Sequence, residues 1–246
     1  MGRGKYVYCF IEGRVTHDID LEGIGKYGKV YFLDFRDITA VLSDTALVQL
    51  DPSRDNALTH ERVIQHFMKL SYNLVPCSFG NIFKSREDIN LFLNKAYKYI
   101  CDNLARVRGS MEVGLRVLWK KDAFTREIET KEIVEFRDSI IKKSGKDNYL
   151  LNVELGKMVE AQVKSRRQFY IRAIYDQIAR HAQDAVLNDA NNPLIVLNAA
   201  FLILKSKEFE FDNIVDSTLK KYSDSLEVSY SGPWPPYNFT SMGINR

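Results

Sequence analysis

Residues 111–119 alternate so regularly that they permit one local structure. Met111, Val113, Leu115, Val117 and Trp119 fall on one side of an extended chain, while Glu112, Gly114, Arg116 and Lys120 mostly fall on the other. That is the period-two signature of a strand with one buried face. Downstream, residues 124–147 are polar and predict a helix followed by a loose connection. A long helix is expected over about 155–180, with Val159, Val163, Tyr170, Ile174 and Ile178 along one face. Arg166 and Arg167 interrupt that face, so one of them must lay its stem over apolar surface. Residues 184–187 and 194–204 read as a strand pair, 207–222 as a helix and 225–230 as a last strand. From residue 111 the order is therefore strand, helix, strand, strand, helix, strand, the split βαβ pattern of ferredoxin-like folds.

Upstream, residues 6–11 form an aromatic-rich apolar run that reads as a buried strand. A loop punctuated by Gly23, Gly25 and Gly28 follows. The runs 30–35 and 38–42 are separated only by Arg36 and Asp37, which predicts a hairpin. Asp51-Pro52-Ser53 marks a turn, and residues 56–73 predict a helix with Val63, Phe67, Leu70 and Leu74 on one side. Pro76 ends that helix and leads into a short strand at 77–79. Ser85-Arg86-Glu87-Asp88 has the form of a capping box. It opens a helix striped by Ile89, Phe92, Leu93, Ala96, Ile100, Leu104 and Val107, which Gly109 is placed to stop. The expected fold class is α+β, with two domains that are each a ferredoxin-like variant, helices packed on a mainly antiparallel sheet. The expected domains are 1–109 and 110–246, the second carrying a proline-aromatic tail at 232–239.

Composition excludes several classes of function. Net charge is +3, from 35 Lys+Arg against 32 Asp+Glu, too balanced to suggest nucleic acid. The group Lys164, Arg166, Arg167 and Arg172 shares its helix with Glu154, Glu160 and Asp176, and reads as a solvated face. Cys9, Cys77 and Cys101 are far apart and odd in number, which suggests neither a zinc site nor a disulfide framework. They fit buried thiols in a reducing cytoplasm. Residues 1–5 lack the apolar core of a signal peptide. The longest apolar run, 194–204, falls short of the roughly 20 residues that a membrane-spanning helix requires. The expectation is a cytoplasmic protein with no membrane partner.

Motifs for chemistry fail on context. Gly23-Ile24-Gly25-Lys26-Tyr27-Gly28 matches GxGxxG, but a strand follows it where a dinucleotide site needs a helix. His60-Glu61 opens like a zinc protease motif, yet the next histidine is His66. Six residues put the two rings on roughly opposite helix faces, so no shared metal is expected. His17 and His181 lack a neighbouring ligand pattern, and no serine sits in a GxSxG elbow. Asn238-Phe239-Thr240 is a glycosylation sequon by pattern, read as chance in a cytoplasmic chain. No catalytic residue, metal ligand or cofactor site is assigned.

Ser231-Gly232-Pro233-Trp234-Pro235-Pro236-Tyr237-Asn238-Phe239 is the segment that stands apart. Its prolines forbid a central strand and favour extended polyproline-type backbone. Either its rings fold back over the C-terminal domain, or Pro233 and Pro236 serve as a PxxP ligand. The cost of leaving large rings in water favours the first.

Three blocks carry a resemblance: His60-Glu61-Arg62-Val63, then residues 75–83 with Pro76, Phe79 and Gly80, then Gly232, Pro233, Trp234, Pro235, Pro236, Tyr237 and Phe239. Together with the Tyr6-Val7-Tyr8 strand and Asn198-Ala199-Ala200-Phe201-Leu202, they resemble the F/L family of gas vesicle accessory proteins across nearly the whole chain. Cys77 and Ser78 stand where the family often has a larger apolar residue and an arginine, and Asn81 where threonine is common. The resemblance implies a two-domain α+β protein, a minor component of gas-filled protein shells. It implies binding to the small hydrophobic shell protein, with other accessory proteins as further partners, and protection against aggregation during nucleation. It implies a shell-associated and cytoplasmic location. It brings no catalytic residues, and the motif residues just named are expected to be structural. The competing reading is a small-molecule-binding or enzymatic ferredoxin-like protein, because that layout hosts many functions.

Overall fold

The structure, a computed structural model, describes residues 3–240 apart from 17–18, 26–27, 47–49 and 143–147. His17, Lys26, Tyr27 and the end of the expected loose connection thus lie outside the described residues. The chain forms two compact units, residues 1–112 with 233–246 and residues 113–232.

The first unit is built on β1 (Arg3–Glu12), β2 (Val30–Phe35), β3 (Ile38–Ala46) and β4 (Leu74–Pro76), in the order β2-β3-β1-β4. The two-residue β5 (Ile82–Phe83) also pairs with β1, and every one of these pairings is antiparallel. The Arg36-Asp37 hairpin forms as expected, with Arg36 at φ 56°. Helices α1 (Arg54–Lys69) and α2 (Arg86–Val107) cover opposite faces of the sheet. Ser53 and Ser85 cap them, each hydroxyl accepting a first-turn amide. α1 ends four residues earlier than its periodicity suggests. Leu70 is its exposed C-cap and Leu74 belongs to β4. Three strands precede the first helix, so this unit departs from the split βαβ order more than the second does.

β1 is central, and Tyr6 to Ile11 are all fully buried. Its pairing with β3 shifts register between Val7 and Cys9. A bulge inserts one residue and reverses the alternation beyond it. Tyr6, Tyr8, Cys9 and Ile11 therefore share the α1 side, with Val63, Ile64 and Phe67. Val7 and Phe10 share the α2 side, with Ile89, Leu93 and Ile100.

The second unit contains β6 (Ser110–Trp119), β7 (Asp184–Asn188), β8 (Ile195–Leu204) and β9 (Leu226–Trp234), in the order β7-β8-β6-β9. Counted within the unit, this is 2-3-1-4, the strand order of the ferredoxin-like fold. The division between the units falls inside β6 and inside β9. The polar stretch after β6 holds two helices, α3 (Lys121–Ile128) and α4 (Lys131–Lys142). The long helix begins earlier than expected, as α5 (Asn148–Tyr170), and passes through a π-helical turn (Ile171–Tyr175) into α6 (Asp176–Ala179). α7 (Glu208–Leu219) completes the helices.

Both arginines of α5 turn inward, so the solvated face expected there is incorrect for this pair. The Arg166 guanidinium donates to Glu127 at 2.8 Å and lies over the rings of Phe169 and Tyr170. Arg167 donates to the carbonyls of Ile195 at 2.8 Å and Asn192 at 2.6 Å. Glu127 also accepts from Tyr170 and from the Trp119 indole. Burial alone would raise the Glu127 pKa, but these donors override it and hold the carboxyl below its usual range.

β9 runs on past its apolar pattern, which ends at residue 230, through Pro233 to Trp234, which an edge strand tolerates. After Leu226 all of its residues are exposed. From Pro233 onward the chain clusters with the first unit, whereas the sequence reading kept the tail in the C-terminal domain. Local pattern carries no information about which sheet a terminal segment joins.

Candidate functional site

The motif residues converge on the α1 face of the first unit, through a chain of buried polar contacts. The Gly80 amide donates to the Tyr6 hydroxyl at 3.1 Å, and that hydroxyl lies 2.8 Å from His60 Nδ1. His60 Nε2 lies 3.1 Å from the Cys77 carbonyl, which can only accept. Nε2 therefore carries the proton, and Nδ1 accepts from Tyr6. Burial drives the His60 pKa down to about 4, against the opposing Cys77 bond, so the ring is neutral at physiological pH. The same burial pushes the Tyr6 hydroxyl and the Cys77 thiol up, and both stay protonated.

Packing fixes these groups. Phe79 meets Tyr6 and His60 edge-on, with ring centroids 6.1 and 5.8 Å apart, and Tyr8 stacks on His60 at 5.8 Å. Gly80 holds φ +94°, a conformation that favours glycine and turns the chain so that its amide reaches Tyr6. Pro76 pairs with Cys9 from β4, which among the described residues has no further neighbour in the sheet. The glycine-rich loop closes the far end. A Cβ on Gly23 would lie 2.6 Å from both Ser43 and the Tyr8 hydroxyl, and Tyr8 accepts the Ile24 amide at 2.6 Å. Those glycines let backbone approach a tyrosine rather than a pyrophosphate.

The C-terminal segment straps this face. Pro235 and Pro236 are buried, and a short 3₁₀ turn (Tyr237–Phe239) brings in the two rings. Tyr237 packs on the Tyr6–Phe67 cluster and donates to Glu61 Oε2 at 2.9 Å, while Phe239 is 2% exposed. Asn238 donates twice to Glu112, from its amide at 2.8 Å and its side chain at 2.6 Å. Thr240 bonds back to the Pro236 carbonyl at 2.8 Å. Glu112 is only 5% exposed, although the alternation of β6 put it on the wet face. The strap covers it.

The structure thus unites His60, Glu61, Phe79, Gly80 and Tyr237 on one face, with Pro76, Pro235 and Pro236 in the supporting backbone and Phe239 buried within the strap. Gly232, Pro233 and Trp234 lie on β9 and are exposed. Sequence reasoning did not select Tyr6, Glu112 or Asn238 as site residues. Tyr6 stood within an apolar strand, and the Glu112–Asn238 pair spans 126 positions, so neither carried a local signal. Among the described residues, no group of three or more metal-ligating side chains gathers, and no helix is long and apolar enough to cross a membrane. In the second unit, three grooves of about 290, 520 and 600 Å³ border α7, α4 and α5.

Fold and site define a two-unit α+β protein in which a C-terminal strap, not a catalytic constellation, links the most distant segments of sequence. Solved structures with this fold exist. The crystal structure of gas vesicle protein GvpF from Anabaena sp. PCC7120 matches with a TM-score of 0.83 at 22% identity, over 98% of this chain and 99% of that one. GvpF from Microcystis aeruginosa gives 0.82 at 23% identity, over 97% and 99%. The family model "Gas vesicle synthesis protein GvpL/GvpF" matches residues 4–241, and the chain belongs to that family. Gas vesicle protein F1 of Halobacterium salinarum is 25% identical over 99% of this chain and 96% of its own length. Gas vesicle protein F of Dolichospermum flosaquae is 26% identical over 96% and 97%.

Proposed function

We propose that this chain is a non-catalytic gas vesicle assembly factor. It binds the small apolar shell protein and limits its aggregation while a vesicle nucleates, acting in the cytoplasm and at the shell beside other accessory proteins. The observation that carries this reading is the family match over residues 4–241. Physical chemistry supports it from the second unit. Ile141, Tyr149, Leu150 and Phe209 stand 72, 76, 75 and 81% exposed. The start of α5 is apolar on nearly every side, through Tyr149, Leu150, Leu151, Val153, Leu155, Met158 and Val159. A helix of that kind ordinarily needs cover all round, and exposed apolar surface beyond scattered single residues marks contact with a partner.

The test is recovery of the shell protein with the tagged chain, compared with an unrelated soluble control, alongside light scattering of the shell protein alone and with the chain present. Enriched recovery and slower scattering growth support the reading. Equal recovery with unchanged scattering rejects it. Tyr149→Ser with Leu150→Ser, at exposed positions, should keep the fold and lower recovery.

A further inference from the structure

We propose, resting on the reading of α5 as a contact surface, that one side of this helix docks an amphipathic helix of the protein partner, with its apolar residues in a groove and a carboxylate on Arg167. Tyr149, Val153, Gly156, Glu160, Val163 and Arg167 follow one another at steps of four, three, four, three and four residues. That spacing sets them in one row along α5, about 27 Å long. At its start Tyr149 and Val153 stand 76 and 40% exposed. From Gly156 onward the row lines the groove of about 600 Å³, together with Phe124 of α3 and residues 190–193 between β7 and β8. A docked helix lays apolar residues at the same three- and four-residue steps into such a groove.

Two residues of the row are explained by nothing inside the chain. Gly156 lies within α5, where glycine weakens a helix relative to alanine. It holds no left-handed φ, and a Cβ there would meet no atom within 4 Å beyond the local helix. The missing Cβ serves close approach from outside. Arg167 closes the row. The carbonyls of Ile195 and Asn192 hold its Nε at 2.8 Å and its Nη2 at 2.6 Å, which fixes the plane of the guanidinium. Its Nη1 has no acceptor, and no carboxylate pairs with the group, among the described residues. Burial pulls the Arg167 pKa below the usual range with no anion to oppose it, yet the group stays charged. A fixed fork with unused donors is the geometry that takes a carboxylate. Lys164, one turn earlier, adds a second cation beside the groove. Glu160 stands on the row about 10 Å from Arg167, also without an ion pair among the described residues. The two charges give the docked helix a direction, its cation near Glu160 and its carboxylate on Arg167.

The experiment has two arms, both on the full chain. In the first, Gly156→Leu puts a side chain into the open groove. A good helix former then replaces glycine, so Tm should hold or rise by up to about 4 °C, while recovery of the shell protein falls at least about threefold. Undiminished recovery overturns the docking groove and leaves the assembly role standing. In the second arm the parent is titrated with octanoate and with 1-octanol, followed by NMR at the Gly156 amide and the Arg167 Nε–H. Octanoate should shift both signals with a midpoint at least about fivefold lower than that of 1-octanol, and Gly156→Leu should abolish the shifts. Equal midpoints, or shifts confined to other residues, overturn the carboxylate assignment. Octanoate binding combined with undiminished shell-protein recovery gives the groove to a free acid and overturns helix docking. If the parent recovers no shell protein, the assembly role falls and the octanoate arm alone decides the groove.

Discussion

Replacing Phe239 with alanine is the most direct test of whether the strap is part of the fold. The ring is 2% exposed at the end of the chain and sits on the first unit. Truncating a buried phenylalanine costs about 3–5 kcal/mol when the cavity cannot collapse. Here the cost has a ceiling, because the strap, which leaves β9 at Trp234, can detach instead of holding a void. The total cannot exceed the strap's own docking free energy, so the lower end, about 3 kcal/mol, is expected. In a chain of this size each kcal/mol moves Tm by about 2–4 °C, which predicts a fall of roughly 6–12 °C. Phe209→Ala removes the same ring from an 81% exposed site in the second unit and should move Tm by about 2 °C or less. Thermal unfolding followed by circular dichroism gives the shift. Hydrogen exchange locates it, and the amides of α1 should lose protection while those of α7 do not. If Phe239→Ala melts within 2 °C of the parent and α1 exchange is unchanged, the strap does not stabilise the first unit and the site described above dissolves.

Tyr6→Phe deletes one oxygen but strands both His60 Nδ1 and the Gly80 amide, so it should cost about 2–4 kcal/mol in urea unfolding, far above a surface Tyr→Phe change. Glu127→Gln should cost about 2 kcal/mol and alter the emission of Trp119, whose indole donates to that carboxylate. Acid should destabilise the first unit through His60, whose folded pKa of about 4 lies below the ordinary 6.5. Its contribution is complete above 6.5 and is lost as pH falls toward 4, by roughly 3 kcal/mol. Urea midpoints of the parent and a His60→Gln variant, compared across that interval, should converge as pH falls.

How much of this was legible in sequence follows from how far each signal reaches. The 2-3-1-4 sheet of the second unit could be read because each of its strands and helices declares its own period, and the order of periods then leaves few topologies. The Arg36-Asp37 hairpin and the Ser85 cap were equally local. The bulge in β1 was not, since Tyr6 to Ile11 are apolar or aromatic throughout and no alternation exists for a bulge to break. The end of α1 moved because apolar residues continue past its cap: Leu74 keeps helical spacing but pairs in a strand. The burial of Glu112 depends on a contact 126 residues away, and the inward turn of Arg167 on two loop carbonyls. Polar partners at such separations leave no period in the chain.

The residues that carry the family resemblance most clearly are also the least available for chemistry. His60 donates through Nε2 and accepts through Nδ1, so both ring nitrogens are occupied. Tyr6 and Cys77 are held protonated by burial. A general base needs an open lone pair near its substrate, and a nucleophile needs an ionised or activated form; on this face His60, Tyr6 and Cys77 offer neither. Its chemistry is directed inward, at keeping Pro76, Gly80 and the strap in register with β1. The most exposed large apolar side chains among the described residues lie instead on α4, α5 and α7: Ile141, Tyr149, Leu150 and Phe209. Under the proposed assembly role, motif and contact surface are separate. Substitutions at His60 or Phe239 should act on stability first and on shell-protein recovery only through it, whereas Tyr149 and Leu150 changes should lower recovery at constant Tm.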